Sequence, residues 1–426
     1  MSALVLHGGR VIDPASGTDT EADVWIADGR IAAVGAAPGD FPEHDRIDVS
    51  GLVVCPGLVD LCARLREPGA THKGTIASET RAAVAGGITT VCCPPDTRPV
   101  IDTPATVELI RQRAVEAGHA HVRPVGALTL GLDGEYLAPL RALTAAGCVA
   151  VGQADRPVRD TQVLRSALAY AATHDVPVLL APRDPWLATG CAHEGAVATR
   201  LGLAAVPVAA ETAELSRLLA LAADTGARVH VGHLSSAAAV DLLARARAAG
   251  VRVTADVAIH QLLLTQDALR GFDTRAHVDP PLRTQADRAA LRSAVAEGLI
   301  DAICSDHQPH DADAKLAPFG ESEPGIAGIE TLLSLVLELE REGVADLPTL
   351  LRRLTTGPAG AIGLEAGTLA PGSRADVCVF APGAGWTVEP ERLHSRGHNT
   401  PFAGWRLRGR VREVLVDGRR VAADGD

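Results

Sequence analysis

The segment DLCARLREPG, Asp60 to Gly69, sets a thiol (Cys62) and two guanidinium groups (Arg64, Arg66) directly after an apolar run and closes on a Pro-Gly turn. Thiolate is a good soft metal ligand. A guanidinium stays charged inside a protein and seeks carboxylates, not cations. Further on, HVGHLSS carries His233, VAIHQ carries His260, and SDHQPH carries Asp306, His307 and His310. Imidazole and carboxylate are the groups of metal ligation and proton transfer. A Cys62–His233–Asp306 zinc site is one reading, and the fixed positive charge of Arg64 beside it argues against that. The blander reading lets Cys62 fill space at a strand end while hydrogen bonds hold His233 and Asp306. Hydrogen bonds among Asp306, His307 and His310 would fix the loop that carries them.

Eight short apolar runs would position these residues: 58–61, 89–93, 122–127, 148–151, 178–180, 228–231, 252–257 and 302–304. Amphipathic stretches such as TPATVELIRQRAVEAG and SSAAAVDLLARARAAG follow them, each opening on a capping hydroxyl and ending at glycine. Strand–helix units in that number predict a (β/α)8 TIM barrel, whose chemistry sits at the C-terminal ends of the strands. No Gly-rich phosphate loop follows the first run, which disfavours a doubly wound sheet. The residues after the runs are Cys62, Arg64 and Arg66, then Asp96, Gln153, Ala181, Arg183, His233, His260 and Asp306. Histidine and carboxylate are missing directly after the fourth and fifth, although Asp155 and Asp184 lie close by. Both ends of the chain read as hairpins, VWIADGRIAAVG turning at Asp28-Gly29 and VREVLVDGRRVA at Asp417-Gly418. We therefore expect a small β-sandwich domain built from residues 1–55 and 365–426, with the barrel spanning 56–364.

The chain has 426 residues, 47% of them apolar, and a net charge of −12. Its basic residues are scattered, so neither nucleic acid nor an anionic membrane is expected as a partner. No apolar run approaches the roughly 20 residues of a spanning helix. MSALVLHGGRVIDP lacks the basic start of a secretory leader. Eight cysteines form no CxxC pair, and most lie in apolar runs, Cys92-Cys93 among them. That pattern fits buried thiols in a reducing, cytoplasmic compartment. The apolar stretch TLLSLVLELE is expected to be barrel wall, not a partner groove.

PGLVDLCARLREPG, GGITTVCCPPDTRPVIDTP, HVGHLSS, DPPLRTQADR, SDHQPH and HNTPFAGWRLRGRV, in that order, resemble dihydroorotase and its cyclic amidohydrolase relatives over nearly the whole chain. The resemblance implies an amidohydrolase-type barrel in which one or two zinc-like ions activate water. Mapped onto this sequence, the paired histidines after the first strand fall on Cys62 and Arg64. The fourth-strand carboxylate motif falls on Gln153-Ala154, and the fifth-strand histidine on Ala181. His233 and Asp306 keep their types, the latter as a vestigial proton shuttle. The substrate shell is altered as well, with Asp96 and Asp279 replacing asparagines; Arg66, Asp96, Asp279 and His310 remain as vestigial substrate-binding positions.

The resemblance thus implies a chain without the zinc of active relatives: no catalytic residue, metal or cofactor is expected. KLAPF, TTGPAGAIGL and the lost histidine pair are similar to non-catalytic dihydroorotase-like chains. Those act as structural subunits of an aspartate transcarbamoylase complex in pyrimidine biosynthesis. The catalytic chain of that enzyme is accordingly the expected partner in a hetero-oligomer, with a homodimer as the form of this chain alone. Two alternatives remain: an active cyclic amidohydrolase with an atypical metal site, and a ligand-binding regulator that keeps Arg66 to sense a carboxylate.

Overall fold

The computed structural model describes residues 3–423. Eight short strands follow the chain in order: β1 (Leu58–Asp60), β2 (Ile88–Cys93), β3 (His121–Ala127), β4 (Ala150–Gly152), β5 (Val178–Leu180), β6 (Val229–Val231), β7 (Val253–Ala258) and β8 (Ala302–Cys304). Each pairs in parallel with the next. A parallel bridge between Ala63 and His307 joins the two ends, so the barrel closes just beyond β1 and β8. Cys62 and Arg64 flank one side of that bridge and Asp306 the other. The closure itself therefore brings the first and last site segments together.

All eight expected runs form strands; most of their apolar side chains enter one large core, while Leu61, Cys92, Val125, Ala150 and Ala302 pack in a second cluster with Ala361 and Ile362. The helix Pro104–Ala117 starts on Thr103, whose hydroxyl accepts from Thr106 N, and ends on left-handed Gly118. The helix Ala237–Ala248 is capped by Ser236, one residue later than its sequence pattern suggests. Ser235 is drawn away instead by Glu211, which accepts from its N–H at 2.6 Å and its hydroxyl at 3.0 Å. Cys92 and Cys93 are buried in β2. Leu332–Arg341 is barrel wall, with Leu332 to Leu339 buried throughout.

Both ends of the chain contribute to one eight-stranded sheet. Its order runs from Arg419–Ala423 through Arg406–Val416, Val377–Thr387, Val53–Pro56, Ala3–Asp13 and Thr18–Ala27 to Arg30–Val34, with Asp45–Asp48 alongside Ala3–Asp13. The two hairpin turns adopt left-handed backbone at both central residues, with φ of 52° and 73° at Asp28-Gly29 and 49° and 72° at Asp417-Gly418. Their tips touch: a Cβ on Gly29 would stand 2.9 Å from Asp417 O. Contact at the tips locks an N-terminal hairpin to a C-terminal one.

The sheet meets the barrel at Leu332–Arg341. Gly409 (φ 86°) lies so close that a Cβ there would stand 2.0 Å from Leu337 Cδ1. Ser334 Oγ donates to Gly409 O at 2.8 Å in the same contact. Gly409→Ala is expected to lower stability by about 2–3 kcal/mol, from left-handed strain plus overpacking. Urea unfolding midpoints of the variant and the parent protein would measure it.

Candidate site at the barrel mouth

The residues after the strands converge, and Arg64 lies at their centre. It is buried, at 6% exposure, with carboxylates on three sides. Its Nε donates to Asp96 Oδ2 at 2.8 Å, its Nη2 donates to Asp155 Oδ2, and its Nη1 lies 3.6 Å from Asp306 Oδ1. Burial works against its charge, but Asp155 and Asp96 outweigh this and hold the guanidinium well above its ordinary pKa. Burial likewise pushes Asp96 up, and the charge and hydrogen bond of Arg64 bring its carboxyl below the usual range. Asp155 reaches the site from the loop after β4. Asp184, its counterpart after β5, instead caps a turn through Trp186 N and Leu187 N.

Cys62 Sγ lies 3.9 Å from Asp306 Oδ1, and burial pushes its thiol well up, so it is a neutral group here. The backbone N–H of His233 donates to Asp256 Oδ1 at 2.7 Å, and its Nδ1 lies 3.6 Å from Cys304 Sγ. Burial opposes protonation of this ring, but Asp306, Asp256 and Asp155 raise its pKa above the usual value. Left-handed backbone at Arg66, Ala154, His233 and Asp306 (φ 45–62°) marks the mouth as strained. Gln153 turns aside to Thr129, donating from Nε2 to the hydroxyl at 2.9 Å. Ala181 offers only a methyl group.

Arg66 Nε donates to Pro309 O at 2.9 Å, and its Nη2 lies 3.2 Å from His310 Nε2. His310 in turn receives Lys73 Nζ at Nδ1, 3.2 Å away, and Lys73 is paired with Glu323 at 2.6 Å. Burial first, then Arg66, drives His310 down to about 3. Asp279 forms an ion pair with Arg183 at 2.7 Å, while burial pushes its carboxyl up. Asp306, His307 and His310 do not bond one another. His307 Nε2 instead meets Glu79 Oε2 at 2.8 Å, and Gln308 Nε2 donates to Asp306 Oδ1 at 3.0 Å. His260 is buried with no hydrogen-bond partner at either nitrogen among the described residues, and burial lowers it to about 4.

Three groups in this network escape the sequence reading. Lys73 and Glu323 lie 250 residues apart and carry no local signal. Asp256 had one, as a carboxylate inside the apolar run VTADVA.

The space left is small. One void of about 30 Å³ lies beside His233 and Arg183 and another of about 50 Å³ beside Arg64 and His233, each far below the roughly 300–1,000 Å³ of a small-molecule site. The donor set does not fit a binuclear metal centre. Cys62, His233 and Asp306 present ligand atoms within 4.8 Å of one another, but the Arg64 guanidinium lies 3.6 Å from Asp306 Oδ1 and brings a fixed positive charge to the same group.

A closed parallel barrel and a sheet assembled from both termini form a fold shared with solved hydantoinase structures. L-hydantoinase from Arthrobacter aurescens superimposes with a TM-score of 0.89 over 100% of this chain and 97% of its own, at 24% identity. A family model described as Dihydro-orotase-like matches residues 51–239. A dihydroorotase-like protein of Pseudomonas aeruginosa is 53% identical over 97% of this chain and 98% of its own length. A dihydroorotase of Syntrophotalea carbinolica is 45% identical, covering 98% of each. The chain belongs to the dihydroorotase-like family.

No helix among the described residues is long and apolar enough to cross a membrane.

Proposed function

We propose that this chain is a non-catalytic member of its family that serves as a structural subunit for aspartate transcarbamoylase. The observation that carries the first half is Arg64, buried among Asp96, Asp155 and Asp306 with its charge balanced by protein groups. A permanent cation so placed repels metal ions, and the filled mouth leaves no room for a six-membered ring amide. The assembly role is supported by the resemblance of KLAPF and TTGPAGAIGL to the non-catalytic subgroup. A rigid barrel that no longer turns over still offers a shaped outer surface to a partner.

The purified protein should therefore hold far less than one zinc per chain and leave carbamoyl aspartate and dihydroorotate unchanged. Co-expressed with the aspartate transcarbamoylase of its host, it should elute with that enzyme. Stoichiometric zinc with turnover would overturn the first part, and separate elution the second. An active dihydroorotase is the second reading, favoured by the relatives of that name at 45–46% identity and by the Cys62–His233–Asp306 grouping.

Partial repair separates the two readings further. Cys62→His with Arg64→His restores the first-strand pair but leaves Gln153 and Ala181 without ligand atoms of the required kind. Groups that act as a unit are strongly non-additive, so the double variant should show no turnover above a contaminant control. Clear dihydroorotase activity in it would mean that the remaining ligands suffice.

A further inference from the structure

Two cysteines stand opposite each other where the terminal sheet joins its two halves. Val53–Pro56, the last strand before the barrel, pairs antiparallel with Val377–Thr387, the first after it, and the register sets Cys55 against Cys378. Gly57 N donates to Asp376 O at 2.8 Å, which makes that pair a hydrogen-bonded one. Bonded and non-bonded pairs alternate along an antiparallel ladder, so Pro56 and Val377 are non-bonded and Cys55 and Cys378 bonded again. Pro56, which has no N–H to give, suits its place. The Cα atoms of a hydrogen-bonded pair lie roughly 5.5 Å apart, inside the roughly 4.4–6.8 Å that a disulfide spans.

The two side chains also share a face. Val54, Val377 and Val379 enter the small core of the sheet, whereas Val53, Cys55, Cys378 and Phe380 enter the large core beside the barrel. Both thiols are fully buried and free. A hydrogen bond with Cys378, and then burial, push the Cys55 thiol well up. Gly87, just before β2, leaves the space that the Cys378 sulfur fills, since a Cβ there would stand 2.6 Å from it. Cys92 and Cys93, by contrast, are successive on one strand and point to opposite faces, each into a different cluster.

We propose that Cys55 and Cys378 form a peroxide-sensitive disulfide that ties the two halves of the sheet together across the barrel insertion. One thiol gives up its proton and its thiolate attacks hydrogen peroxide, so that the sulfur gains a hydroxyl and hydroxide leaves. The partner thiol then attacks that sulfenic sulfur; the S–S bond forms, the S–O bond breaks and water departs. Two thiols and one peroxide thus give one disulfide and two waters, the sulfurs oxidised and the peroxide reduced. The covalent ring runs from Cys55 through the whole barrel to Cys378. Such a bond restricts the unfolded chain and stabilises the fold, and exchange with a free thiol reverses it. The pair lies in the sheet, so it does not depend on whether the barrel mouth is catalytic.

The test exposes the folded full chain, reduced and then freed of reductant, to hydrogen peroxide. It is afterwards denatured in iodoacetamide and mapped by peptide mass. The peptides of Cys55 and Cys378 should appear joined, two hydrogens lighter than their sum, and should separate in dithiothreitol. Urea unfolding of the oxidised protein should shift to a higher midpoint. That shift should vanish in dithiothreitol and be absent from Cys55→Ala. Recovery of both cysteines alkylated, while half-buried Cys191 has been oxidised, would overturn the proposal, because the oxidant was active and the pair did not close. A link from either cysteine to a different one would overturn it equally.

Discussion

Replacing Arg64 by alanine is expected to destabilise the protein by about 3–5 kcal/mol at neutral pH, the cost of breaking a buried ion pair from one side. The substitution leaves Asp96 and Asp306 in the mouth without their cation and opens a cavity where the guanidinium packed. Asp155 is about two-fifths exposed and can recover solvation, so most of the loss arises from the other two. The sign of the pH dependence follows from Asp96, whose carboxyl is lower in the folded state than unfolded. Its contribution is complete above the unfolded pKa of about 4 and fades as pH falls through the folded value. The gap between wild type and variant should therefore narrow in acid. Arg64→Lys keeps the charge but loses the fork, and should fall between them. Urea unfolding at pH 7 and pH 4 measures all three. A loss below about 0.5 kcal/mol for Arg64→Ala, the size of a neutral surface change, would show that the cluster does not hold the mouth together.

Acid should also act through His260. Burial lowers its folded pKa to about 4, against an ordinary 6.5. The unfolded chain thus takes up a proton in a window where the folded one does not. Stability is fully retained above about pH 6.5 and lost progressively as pH falls toward 4. Between pH 8 and pH 5 the loss from this residue is about 2 kcal/mol. His277, lowered to about 4, and His310, lowered to about 3, act with the same sign. His260→Leu removes an imidazole without hydrogen-bond partners and keeps an apolar group of similar size, so it should cost little at pH 8. At pH 5 it should be more stable relative to wild type by about that same 2 kcal/mol. Parallel stability–pH curves for the two proteins would refute the assignment.

The barrel was legible because its signals are local and repeated. Eight apolar runs, hydroxyl caps and terminal glycines each follow from backbone chemistry within a few residues. The Asp-Gly turns announced both hairpins for the same reason. The mouth was legible only in part. That Arg64 is out of place beside metal ligands can be read from the segment DLCARLREPG itself. Its partners cannot, because Asp96, Asp155 and Asp306 come from the ends of three other strands and meet only when Ala63 pairs with His307. The cap on Ala237–Ala248 slipped by one residue because Glu211, from another helix, takes Ser235. Contacts of long sequence separation decided each of these points.

The cation at the centre of this mouth is synthesised with the chain. A mouth organised by zinc is finished only when an ion has been captured from its surroundings, and its integrity then tracks the supply of that ion. Here the charge that gathers Asp96, Asp155 and Asp306 arrives by translation. On the non-catalytic reading proposed above, neither chelators nor metal-starved growth would withdraw it, and the geometry of the strand ends would stay constant in a zinc-poor cell.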